Sequence, residues 1–291
     1  MYKYENVFNG YAGISNLHGL LTVLPNILSF SDTIYQIEYE QGYESLVASE
    51  VQGESSHLAG RAANGGGVDI YSIYPHTGFG GRATGGATFG GYASRDGHGH
   101  GTHTAGTAVG SGFGLATAAN VIAVKVCSDT GRCAASDIIA GINFAVTRAA
   151  SSGRPSIVTM SLGLDPTTAL DNAVNTALGR GIHFTVAAGN ENQNAANVSP
   201  ARVAGAITVG AIDSSNRKAS FSNYGSVLDI WALGVNVRSA WIGSNTAVNT
   251  ISGTSMATPH VAGILAVVIG NKGNSSPAAL ASALKSNDQA I

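Results

Sequence analysis

From about residue 96 onward the chain switches repeatedly between two hydrophobic periods. Residues 120–128 (NVIAVKVCS) form a β-branched run of strand type. A helix is predicted next, with Ser136 or Asp137 as its cap and Ile138, Ile139, Ile142 and Val146 on one face. Residues 156–163 (SIVTMSLG) read as a strand. In residues 167–181 the spacing of Leu170, Ala173, Val174, Ala177 and Leu178 predicts a second helix, closed by Gly179 and Gly181. Residues 182–190 (IHFTVAAGN) and 206–213 (AITVGAID) read as further strands. Such alternation implies an α/β fold, a mostly parallel sheet covered by helices on both faces. In these sheets the chemistry gathers in loops at the carboxyl ends of the strands. Residues 1–55 are more aromatic and acidic and less regular, which places a boundary between residues 49 and 60.

Composition narrows the function classes. At 291 residues, 44 % hydrophobic and 11 % charged, the chain has enough apolar surface for a large core. A formal net charge of −2 gives no electrostatic reason to expect nucleic acid or an anionic membrane as a partner. No run approaches the length of a membrane span, and MYKYENVFNGYAG lacks the basic-then-apolar pattern of an export signal. Two cysteines, Cys127 and Cys133, flank a turn; two buried thiols are expected, with a disulfide as the alternative.

Three stretches carry chemistry. In RDGHGHGTHTAGTAVG, His98, His100 and His103 fall within six residues. They read as exposed turn and helix residues, as metal ligands lacking a companion Glu or Cys, or as one general base at a helix N-terminus. In SGTSMATPHVAGILAVVIG, Ser255 precedes the apolar residues 261–269 that must form a buried helix, with Pro259 near its first turn. That serine is a cap, or a nucleophile whose developing charge the helix amides stabilise. In VAAGN, Asn190 closes a turn or donates to an oxyanion.

Taken in order, GHGTHTAGT, AAGN and GTSMATPHVAG resemble the subtilase family of serine endopeptidases, most closely its proteinase K-like fungal secreted branch. The resemblance runs from about Gly65 to Ser286 through ASRDGHGHGTH, IIAGINFAV, SLG, SPA, FSNYGSVLDI and SAWIGS. It implies His100 as general base, Ser255 as nucleophile, and Asn190 with the Ser255 backbone N–H as oxyanion donors. It implies that the backbone of Ser161, Leu162 and Gly163 pairs with an extended substrate, although Leu164 stands where the family has a second glycine. It implies a structural calcium on the Asp229 carboxylate and the carbonyls of Ala204 and Ala206. It further implies an extracellular monomer acting on polypeptides. Residues 1–55 resemble part of an inhibitory propeptide, and residues 56–291 a peptidase domain shortened at its C-terminus.

One family feature is missing. The Asp-Thr-Gly turn that supplies the histidine's acid does not occur upstream of His100. Asp69, in GGGVDIYSI, stands near the expected distance but follows three glycines and one valine. It reads as a strand residue beside a lost acid, and alternatively as a substitute acid. The rival to a working protease is therefore an impaired homologue that binds peptides or an inhibitor in the same cleft.

Overall fold

The computed structural model describes residues 33–38 and 76–286. Asp69 and the boundary expected near residue 55 lie outside them.

Seven strands form one parallel sheet in the order β2-β3-β1-β4-β5-β6-β7. They are β1 (Thr33–Glu38), β2 (Ala83–Thr88), β3 (Asn120–Lys125), β4 (Ser156–Ser161), β5 (His183–Ala187), β6 (Ile207–Ile212) and β7 (Ile230–Leu233). A separate antiparallel ribbon joins β8 (Val237–Ala240) to β9 (Val248–Ile251). The expected α/β architecture is thus present, and β3 to β6 fall where the apolar runs predicted them. These strands are buried along almost their whole length, because helices cover both faces.

One face carries α1 (His100–Val109), α4 (Thr254–Lys272) and α5 (Pro277–Ser286). Their buried residues, among them Ala105, Val109, Val261, Leu265 and Leu280, pack with Val209 and Ile230 of the sheet. The other face carries α2 (Ala135–Ser152) and α3 (Thr168–Leu178), which bury Ile138, Ile142, Leu170 and Val174 against Val124, Val158 and Phe184. The helix α4 is apolar around its full circumference, as a helix threaded through the core must be.

Three local expectations change. The N-cap of α2 is Ala134, so Ser136 and Asp137 lie inside its first turn; Asp137 still suits the positive end of the helix dipole. Pro259 sits in the second turn of α4, one turn deeper than expected, because the helix already starts at Thr254. Cys127 and Cys133 form a disulfide rather than two thiols: a backbone bridge sets them opposite each other across the 128–132 turn, with Cα atoms 4.3 Å apart.

The strand β1 was not foreseen. Residues 33–38 belong to the stretch expected to be propeptide-like, yet they pair with β3 on one side and β4 on the other. Glu38 ends this strand level with Ser161 of β4.

Candidate active site

His100 is the first residue of α1, and Asp96 builds the helix start. Its Oδ1 accepts from the N–H groups of His98 (2.9 Å) and Gly99 (2.6 Å). Its Oδ2 accepts from the N–H (2.9 Å) and hydroxyl (2.6 Å) of Thr102. Four donors on one buried carboxylate tie the two residues before the helix to Thr102 in its first turn and fix the backbone that presents His100. Gly99 must be glycine: its φ of 99° is left-handed, and a Cβ there would meet the Trp241 ring at 2.6 Å. The sequence reading missed Asp96; its signal was an acid four residues before a helical histidine.

His103, expected as an exposed helix residue under the plainest reading, is fully buried. Its Nε2 lies 3.0 Å from the Val237 carbonyl and its ring meets Trp241 edge to face. Burial, followed by the neighbouring His100, drives its pKa down to about 3. It is a neutral core group that fastens α1 to the β8–β9 ribbon. Among the described residues no three His, Cys, Asp or Glu side chains converge as metal ligands.

Ser255 stands second in α4, which packs against α1. It is buried, with 8 % of its surface exposed. Two hydrogen bonds hold it to the end of β4: Ser161 Oγ donates to the Ser255 carbonyl at 2.8 Å, and Ser255 Oγ donates to the Ser161 carbonyl at 3.5 Å. The first of these has a cause in the sequence. In a helix the Ser255 carbonyl would accept from residue 259, but Pro259 has no N–H. The freed carbonyl is taken by Ser161 instead, so the proline couples the serine to the strand expected to hold substrate.

Asn190 lies three residues past β5, between core and surface. Its Oδ1 accepts from the Thr254 N–H (2.8 Å) and hydroxyl (3.0 Å). Two donors on one end settle the amide's orientation, and Nδ2 is thereby turned toward Gly253, at 3.7 Å from where a Cβ would stand. Asn190 and the first amides of α4 are therefore built as one unit. Gly189 makes the sharp approach possible: its φ is 101°, and a Cβ would fall 2.3 Å from Asn223 Nδ2.

Past Ser161, Leu162 turns into the core and Gly163 is half-buried, with Val198 Cγ1 2.8 Å from where its Cβ would stand. Leu164 is tied to Ser199 by two backbone hydrogen bonds of 2.8 and 2.9 Å, which closes the segment available to an incoming strand. Asp229, expected as a calcium ligand, precedes β7. Its Oδ2 accepts from the Thr208 N–H at 2.8 Å, and its Oδ1 is paired with the Lys285 ammonium. Ala204 and Ala206 flank the turn before β6.

Comparison with known proteins bears on the family and the fold. Residues 83–289 match the family model described as "Subtilase family". The chain is 48 % identical over 245 residues to "Subtilisin-like protease 2" of Pseudogymnoascus destructans, covering 82 % of this chain and 61 % of that protein. It is 52 % identical over 200 residues to "Alkaline proteinase" of Hapsidospora chrysogena, covering 68 % of this chain and 50 % of that one. It thus spans roughly half to three-fifths of the length of these two relatives. The fold matches a solved structure titled "Crystal structure of a cold adapted subtilisin-like serine proteinase" with a TM-score of 0.74 and 35 % identity, over 96 % of this chain and 92 % of the other. A serine and a histidine each heading one of two packed helices, an amide fixed beside the serine, and a family match over most of the chain agree: the chain belongs to the subtilase family.

Proposed function

We propose that this chain is a serine endopeptidase that hydrolyses polypeptides. The observation that carries the reading is the shared construction of Ser255 and Asn190, in which Thr254 locks the amide so that its N–H₂ end faces the start of α4. Serine attacks a peptide carbonyl at neutral pH only with a base beside it. Here Ser255 Oγ is the nucleophile and His100 takes its proton, then returns it to the leaving amine. Negative charge on the carbonyl oxygen falls between Asn190 Nδ2 and the Ser255 N–H, at the positive end of α4. The backbone of Ser161, Leu162 and Gly163 receives the substrate as an added strand.

The third role is an acid that orients the histidine and stabilises its imidazolium. Asp69 is one candidate; the sheet register favours Glu38. The parallel strand β1 brings Glu38 to the carboxyl edge of the sheet, level with Ser161, and α1 packs against β1. On this reading Glu38→Gln lowers kcat by about 10⁴-fold, the order borrowed from loss of the orienting aspartate in other serine proteases, and Glu38→Asp restores part of it. Asp69→Asn changes kcat little. The opposite ranking transfers the role to Asp69.

Secretion fits the Cys127–Cys133 disulfide, since such bonds persist in oxidising compartments. Among the described residues no helix is long and apolar enough to cross a membrane. With β1 paired into the sheet, an inhibitory role falls to the residues before it, 1–32, rather than to the whole of 1–55. No step uses a metal. The test is cleavage of a denatured polypeptide followed by mass spectrometry. New peptide termini that vanish with Ser255→Ala and His100→Ala support the proposal. Intact substrate with folded protein defeats it in favour of a peptide-binding homologue.

A further inference from the structure

We propose that Lys285 takes the place of a structural calcium ion in this chain and fastens the C-terminal helix to the sheet. The donor set that would hold calcium contains one carboxylate, Asp229, and two backbone carbonyls, those of Ala204 and Ala206. Calcium seeks six to eight oxygen ligands, with the charge supplied by carboxylates. In this chain neither oxygen of that carboxylate is uncommitted. Oδ2 receives the Thr208 N–H, and the Thr208 carbonyl accepts the Asp229 N–H at 2.9 Å, so the backbone holds the residue in place and rotation of the carboxylate would leave the Thr208 N–H without its acceptor. Oδ1 is paired with the Lys285 ammonium.

The partners differ in environment. The Asp229 side chain is only 11 % exposed, whereas that of Lys285 is 43 % exposed. A carboxylate so far withdrawn from water needs a cation, and the chain provides one covalently. Lys285 lies in the last turn of α5, whose Leu280, Ala281 and Leu284 enter the core beside α4. The hydrophobic face thus delivers the ammonium to Asp229, and the ion pair in turn pins the end of α5. An ammonium and a dication repel each other across one oxygen, so calcium and Lys285 compete for the site rather than share it.

Four proteins in the Ser255→Ala background test this: the parent, Asp229→Asn, Lys285→Met and the double variant. Asparagine keeps an oxygen for the Thr208 N–H, and methionine keeps the length of the lysine stem without its charge. Tm is measured with calcium and with chelator, so that any other calcium site cancels between pairs. The proposal expects parent and Asp229→Asn to respond to calcium equally. It expects Lys285→Met to gain more than the double variant, by about 5–10 °C at a calcium concentration near a hundred times its dissociation constant. Terbium luminescence sensitised by Trp231, two residues from Asp229, reads the same occupancy without unfolding. If Asp229→Asn abolishes a calcium response or terbium signal of the parent, Asp229 binds metal with Lys285 in place and the proposal fails. It also fails if Lys285→Met and the double variant respond alike. Either failure leaves the protease reading standing, because the site is remote from the proposed chemistry.

Discussion

Ser161→Ala is predicted to be expensive for a reason that lies in another residue. The substitution removes one hydroxyl from a fully buried position and leaves the Ser255 carbonyl without its 2.8 Å donor. In an ordinary helix the amide four residues on would step in; here that residue is Pro259. The cost is therefore that of a buried acceptor left unsatisfied, about 1–3 kcal/mol rather than the smaller net worth of one hydrogen bond. For a domain of this size that is a fall in Tm of roughly 2–12 °C. Pro259→Ala restores an N–H at the right place. In that background Ser161→Ala should cost less, leaving a coupling of about 1 kcal/mol between two residues that do not hydrogen-bond each other. Urea unfolding of the four proteins in the Ser255→Ala background, which prevents self-digestion and keeps the carbonyl, supplies the cycle. Additive costs would refute the reasoning, since the proline would then have no part in the Ser161 bond.

Three further outcomes are expected. Asn190→Ala should lower kcat by about 10²–10³-fold with a much smaller change in KM; the magnitude is borrowed from the corresponding substitution in subtilisin, a relative, and equal losses in binding would contradict it. Acid should destabilise the fold below neutrality. His103 and His260 are held by burial at about 3 and about 4, so between these values and 6.5 the unfolded chain binds protons that the folded one refuses. Stability then rises with pH across that window by up to about 1.4 kcal/mol per pH unit for each histidine, and a flat unfolding profile between pH 6.5 and 4.5 would exclude it. Replacing Cys127 and Cys133 together by alanine should cost about 2 kcal/mol, the loop-closure value for so short a span, with no loss beyond that measured by urea unfolding.

How far the fold was legible depended on whether each feature is local. The runs that became β3 to β6 are continuous and apolar because both faces of the sheet are covered, and periodicity found them. The strand β2 reads ATGGAT and has too few apolar side chains to announce itself. The strand β1 reads TIYQIE, where Gln36 breaks the apolar run; only its pairing with β3 and β4 makes it central. At the site, His100, Asn190 and Ser255 sit in motifs whose glycines and helix starts are encoded within a few residues, so they could be named in advance. Their fastening could not. Asp96 is identified by four donors, Ser161 by a carbonyl that Pro259 vacates, and Lys285 by a carboxylate distant in sequence. Asp96 lies within six residues of all its donors, and only their convergence sets it apart from an ordinary turn acid. The other two are tertiary relations that no spacing rule contains. The disulfide belongs to the same class, since a backbone bridge decides between two thiols and one bond.

The claim on which the rest depends is that Ser255 is an activated nucleophile. Reaction of the folded protein with a fluorophosphonate, followed by peptide mass spectrometry, tests it at the atom concerned. The account predicts a phosphonyl adduct on Ser255 itself, lost in His100→Ala and slowed in Asn190→Ala. A folded protein that stays unlabelled, or carries its adduct on another serine, would contradict it.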